Sequence, residues 1–148
     1  MKTRISITMM LVMTCILLAL PAPVQATPPD PLTINADLYL DGPNSAVGTF
    51  NASGLFTDTG PATEVFFTAA GTIHGVKTLV GAAGTITIKF QAQLTWSSPT
   101  TGIAQGRYVI VSGTGAYVKL HGVGETYAEL DLGTGHILAS YTGKAHFN

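Results

Sequence analysis

The sequence predicts an all-β fold: a small antiparallel eight-stranded barrel with one short helical or 3₁₀ turn near residues 115–121. Three observations carry this. From 85 to 96, Ile86, Ile88, Phe90, Ala92, Leu94 and Trp96 alternate with Thr85, Thr87, Lys89, Gln91, Gln93 and Thr95, the period-two pattern of a strand with one dry and one wet face. A second alternating pair of runs fills the C-terminal end, and no long stretch has helical spacing. The chain also carries 17 glycines, several of them (Gly48, Gly54, Gly71, Gly81) inside strand-like runs, where they permit the bulges and bends that curve a sheet into a barrel.

Taken in order, residues 1–26 stand apart from the fold. Lys2 and Arg4 precede an uncharged, mostly apolar run at 5–20, Pro21 and Pro23 break it, and Val24-Gln25-Ala26 places small residues at the first and third positions before a cut. This is the pattern of a secretory signal peptide cleaved after Ala26, which makes the product secreted or periplasmic. The run is short for a membrane helix, which needs about 20 apolar residues. Cys15, the one cysteine, falls within the discarded segment, so residues 27–148 have no disulfide framework and no thiolate metal site.

Residues 27–33 begin Thr27-Pro28-Pro29-Asp30-Pro31 and read as an extended, proline-rich leader. A single domain of one core then covers 34–148. Strand-like runs at 35–40, 47–57, 64–74, 76–81 and 106–112 join the clear one at 85–96, with 97–102 a plain loop. In the last pair, Thr126, Ala128, Leu130 and Leu132 oppose Glu125, Tyr127, Glu129 and Asp131, and Ile137, Ala139, Tyr141, Gly143, Ala145 and Phe147 share a face of the final run. Gly133-Thr134-Gly135 is the hairpin connection between them, and the final run is placed to close the sheet.

Charge narrows the function classes. Charged residues are 10% of the chain, against roughly 25% in an ordinary domain. Residues 27–148 hold five basic and eight acidic side chains, a formal charge of −3, with no basic cluster in the sequence. Nucleic acid is therefore not an expected partner. So weakly charged a surface suits an extracellular protein or one buried against copies of itself.

The segment Gly113-Thr114-Gly115-Ala116-Tyr117-Val118-Lys119-Leu120-His121-Gly122 leaves a strand, makes one turn and returns. Gly113 and Gly115 let the chain depart sharply, and Tyr117 and Leu120, three apart, fall on one side of a single helical turn. Gly113-Thr114-Gly115 with Tyr117, Leu120 and Gly122 resembles the signature of the allene oxide cyclase and dirigent barrel superfamily, in particular its small secreted bacterial members. The resemblance is firmest over residues 106–147. It implies an eight-stranded antiparallel barrel with an apolar interior, often found as a dimer or trimer. For the cyclases and dirigent proteins it implies polar residues inside the barrel that steer a reactive intermediate. The residue correspondence ends at the glycines, Tyr117 and Leu120.

No cofactor or metal is expected. His74, His121, His136 and His146 show no H-x-H, H-x-x-x-H or H-x-x-E-H spacing, and His121 reads as a surface loop residue. Glu64 shares strand parity with Phe66 and Thr68. It either points into the barrel, where burial would raise its pKa and suit it to acid–base work, or sits solvated at a strand start, the commoner fate. Arg107 opposes Tyr108 in parity. It either anchors a ligand carboxylate or pairs with Glu125 or Glu129. Ser112-Gly113 lacks the G-x-S-x-G context of a nucleophile elbow. Asn51-Ala52-Ser53 is a formal glycosylation sequon, meaningful only in a eukaryotic secretory route.

These features imply a secreted barrel without catalysis that holds a small apolar ligand or serves as a structural or interaction module. The alternatives are a cyclase- or dirigent-type isomerase steering an intermediate by shape and an outer-membrane barrel, whose outward faces would be apolar.

Overall fold

A computed structural model describes residues 28–148. The expected signal peptide, 1–26, and Thr27 lie outside the described residues. Eight strands, β1 (Asp30–Gly42), β2 (Ser45–Gly54), β3 (Asp58–Ala69), β4 (Thr72–Val80), β5 (Thr85–Trp96), β6 (Thr101–Gly113), β7 (Leu120–Asp131) and β8 (His136–Phe147), pair each with the next. β8 returns to β1, so the all-antiparallel sheet is a closed barrel. Closure satisfies both edges at once, which an open sheet cannot do. A 3₁₀ turn, Gly115–Tyr117, is the one helical segment among the described residues.

The interior is built from the alternate residues that the period-two pattern assigns. Leu32, Ile34, Ala36 and Leu38 of β1 meet Ile86 and Ile88 of β5, Tyr108 and Ile110 of β6 and Tyr141 and Ala145 of β8 in one cluster. Both alternating runs that predict the fold lie as expected, with Ile86, Ile88, Ala92, Ile137, Ala139 and Tyr141 buried. Trp96 and Leu132 are exceptions, 47% and 44% exposed, because each sits at or past the last residue of its strand, beyond the packed interior.

Several boundaries differ from the sequence reading. The barrel wall starts at Asp30, so 30–33 pair with β8 rather than forming a free leader. Pro31 is tolerated there because its carbonyl, which lies on the β2 side with the missing N–H, accepts from Leu55 N–H at 2.9 Å just past the end of β2. The run at 64–74 is two strands. Ala70 (φ 49) and Gly71 (φ 78) make a two-residue turn between Ala69 and its partner Thr72, with both φ values positive as in type I′. β3 begins at Asp58, and Pro61 fits because the β3–β4 ladder starts only at Ala62↔Leu79. β7 begins at Leu120, so His121 is a strand residue and not part of a loop.

The 3₁₀ turn closes one end of the barrel. Its two expected anchors, Tyr117 and Leu120, are 2% and 3% exposed. Tyr117 packs on Phe56 from the β2–β3 connection, ring centroids 4.8 Å apart.

Candidate functional site

The interior polar cluster begins with register. Glu64 of β3 is the direct partner of Lys77 of β4, and both face inward, Glu64 in step with Ala62 and Lys77 in step with Ile73 and Leu79. Glu64 is therefore buried rather than solvated at a strand start. The solvated reading fails because β3 begins six residues earlier, at Asp58, which makes Glu64 mid-strand. Lys77 Nζ stands 2.8 Å from Glu64 Oε2 with its side chain wholly buried. The two form a buried ion pair. The ammonium also lies 4.9 Å from the centre of the Tyr141 ring, a cation–π contact.

Burial pushes the Lys77 ammonium below its ordinary pKa, and the Glu64 charge pulls it partly back. Burial drives the Tyr141 phenol well up, and the neighbouring Glu64 charge adds to that rise. Tyr108 packs edge-on against Tyr141 at 5.3 Å, and its hydroxyl is buried with no partner. Above the cluster, at the barrel end away from the 3₁₀ turn, Glu64, Thr126 and Tyr141 line a pocket walled by Phe66, Ile73, Phe90 and Leu130. Its volume of about 30 Å³ admits a water or two and no substrate-sized molecule.

A second polar feature locks the opposite end. Asp58 accepts hydrogen bonds from the Tyr117 hydroxyl at 2.6 Å, from Thr59 N–H at 2.8 Å and from the Ala82 and Ala83 N–H groups at 3.1 and 3.3 Å. The Tyr117 bond chiefly holds the Asp58 carboxyl below its usual range, while burial first and Asp58 second push the Tyr117 phenol up. One carboxylate thus ties the 3₁₀ turn, the start of β3 and the β4–β5 turn together. It is a structural lock, because all its acceptors are turned to the protein's own donors.

A far larger recess than the interior pocket is outside the barrel. Two rows of outward side chains cross β3 to β6: Val65, Val76, Lys89 and Val109 in one, Phe67, His74, Gln91 and Arg107 in the next. Between them runs a groove of about 850 Å³, bounded by Asn44 of the β1–β2 turn and by Val109. Val65 and Phe67 are 65% and 56% exposed, and Val76 and Val109 are also exposed. Phe67 stacks on His74, centroids 5.0 Å apart and planes 13° from parallel. Among the described residues neither Lys89 nor Arg107 forms an ion pair, although Glu125 is the direct cross-strand partner of Arg107.

The histidines fall into three places. His74 is in the groove wall. His136 lies 2.8 Å from Asp37 and stacks on Tyr39, while His121 and His146, partners on β7 and β8, stack at 5.7 Å. No group of three metal-binding side chains gathers among the described residues. Ser112 and Asn51 are exposed on the outer face.

Sequence reasoning singled out Glu64 and Arg107 and missed Lys77, Asp58, Tyr141 and Lys89. Strand parity would have found Lys77, once the Ala70-Gly71 turn put Ile73, Lys77 and Leu79 in step. Asp58 carries no such signal, since its partners come from three distant segments. Compared with known proteins, the chain matches no family model, no curated protein and no solved structure.

Proposed function

We propose that this chain is an exported, non-catalytic binding module that takes a small apolar ligand in the groove outside β3–β6. One observation carries the reading: the interior pocket beside Glu64 and Tyr141 holds about 30 Å³, while the outer groove offers about 850 Å³ over exposed Val65, Phe67, Val76 and Val109. Ligand sites for small molecules run to about 300–1,000 Å³ and are mostly apolar with a few polar groups, as this one is. Monomeric proteins seldom leave such side chains contiguous and bare without use. Export rests on the pattern of residues 1–26. The wall suits an aqueous setting, since Leu, Ile and Tyr fill the interior, where a transmembrane barrel is polar, and Thr, Asn, Gln and charged groups stand among the exposed valines of the outer face.

The test is a titration of the purified protein with pyrene, a neutral fluorescent hydrocarbon. Saturable binding is expected, with a loss of about tenfold or more when Val65→Asp or Val109→Asp places a charge in the groove. Binding that ignores both substitutions would overturn the groove. N-terminal sequencing of protein recovered outside the cytoplasm should begin at Thr27.

A second reading, a cyclase- or dirigent-type enzyme inside the barrel, is favoured by Glu64 and Tyr141 at the floor of the mouth pocket. It requires that pocket to widen roughly tenfold to reach the size of a ligand site.

A further inference from the structure

We infer that the ligand of the outer groove is an amphipathic anion, an apolar body ending in a carboxylate that Lys89 and Arg107 hold together. The inference rests on the groove reading above and adds the ligand's chemical class. Residues 27–148 carry five basic side chains against eight acidic ones, yet two of the five line this one groove and no acid does. Lys89 pairs directly with Val109, and Arg107 lies two residues from Val109 on the same strand. The two cations are therefore diagonal neighbours, with bases roughly 7–8 Å apart, a spacing from which both can reach one carboxylate.

Their surroundings favour a charged guest. Lys89 is flanked by Val76 on one side and Val109 on the other, so a seated ligand excludes water from around the ammonium and strengthens its attraction for an anion. Arg107 offers a planar fork that matches a carboxylate with two hydrogen bonds. An apolar body lies over Val65, Phe67 and Val76, with its charged end on the β5–β6 side. Glu125, the cross-strand partner of Arg107, is the protein's own competitor for that fork.

The test uses three probes that share one body and differ in the end group: 1-pyrenebutyrate, 1-pyrenebutanol and (4-pyren-1-ylbutyl)trimethylammonium. The expected order is carboxylate tighter than alcohol by about tenfold or more, with the ammonium weakest, and a gap that narrows as salt is added. Arg107→Gln and Lys89→Gln should each bring the carboxylate toward the alcohol and leave the alcohol unchanged, while Glu125→Gln should tighten the carboxylate a few-fold. Equal binding of carboxylate and alcohol would overturn the anion while leaving the groove in place. Failure of all three probes, or indifference of all three to Val65→Asp, would remove the groove reading and this inference with it. A concentration-dependent dimer that displaces the probes would give the groove to a second copy of the chain and overturn the proposal.

Discussion

Lys77 has no solvent exposure, and a lone buried ammonium costs several kcal/mol. Its cost is offset by the Glu64 carboxylate at 2.8 Å and the Tyr141 ring at 4.9 Å. The pair does not need to be stabilising relative to apolar residues of the same size, but each member needs the other. Glu64→Leu or Lys77→Met alone should cost about 3–5 kcal/mol, since either leaves one buried charge unpaired. The double variant should return to within about 1 kcal/mol of the parent. Urea unfolding of the four proteins measures the cycle, and additive single losses would show that the two side chains do not act as a pair. The sequence exposed half of this arrangement. Glu64 was a candidate by parity, but a lysine is so seldom buried that composition argues against placing it inside.

At the scale of elements, legibility follows how well alternation survives. β5 keeps an unbroken dry face and β8 one interrupted only at Gly143, so both read directly from sequence. β4 and β7 do not, because glycines occupy inward positions where a neighbouring side chain fills the space. A Cβ on Gly75 would meet the Phe90 ring at 2.3 Å, and one on Gly122 would meet Ile110 at 2.8 Å. A glycine contributes no apolar signal, so the inward face is present in space and absent in the sequence pattern. The β3–β4 turn was masked differently, since Ala70-Gly71 lacks the Asn-Gly or Asp-Gly signature of its turn type. Ala70 holds φ 49, which an L side chain tolerates poorly. Ala70→Asn should therefore stabilise the barrel by about 0.5–1 kcal/mol, seen as a rise in Tm. No rise, or a fall, would mean the turn is not limited by Ala70.

At the scale of the whole molecule, Tyr108, Tyr117 and Tyr141 all have phenol pKa values raised, chiefly by burial. Between the unfolded tyrosine pKa, about 10, and these higher folded values the native barrel holds more protons than the unfolded chain. Stability should therefore fall as pH rises above about 10. Lys77 acts in the opposite sense, because its folded pKa is lowered: its contribution rises with pH up to the unfolded lysine value of about 10.4 and is level beyond it. Three tyrosines outweigh one lysine in that range. Urea midpoints from pH 9 upward, with tyrosinate absorbance followed on the same samples, check this. Ionisation of these three side chains in protein that is still folded would contradict it.

The sequence by itself determined the all-β class, the eight strands, the 3₁₀ turn near 115–121 and most of the inward faces. These follow from local periodicity, which a side chain's own neighbours in the chain express. The tertiary structure decided that Lys77 meets Glu64, that Asp58 receives Tyr117, and that Lys89 and Arg107 share an apolar groove. Each of these joins residues brought together only by strand register and barrel closure. A one-residue change of register would turn every such side chain to the other face.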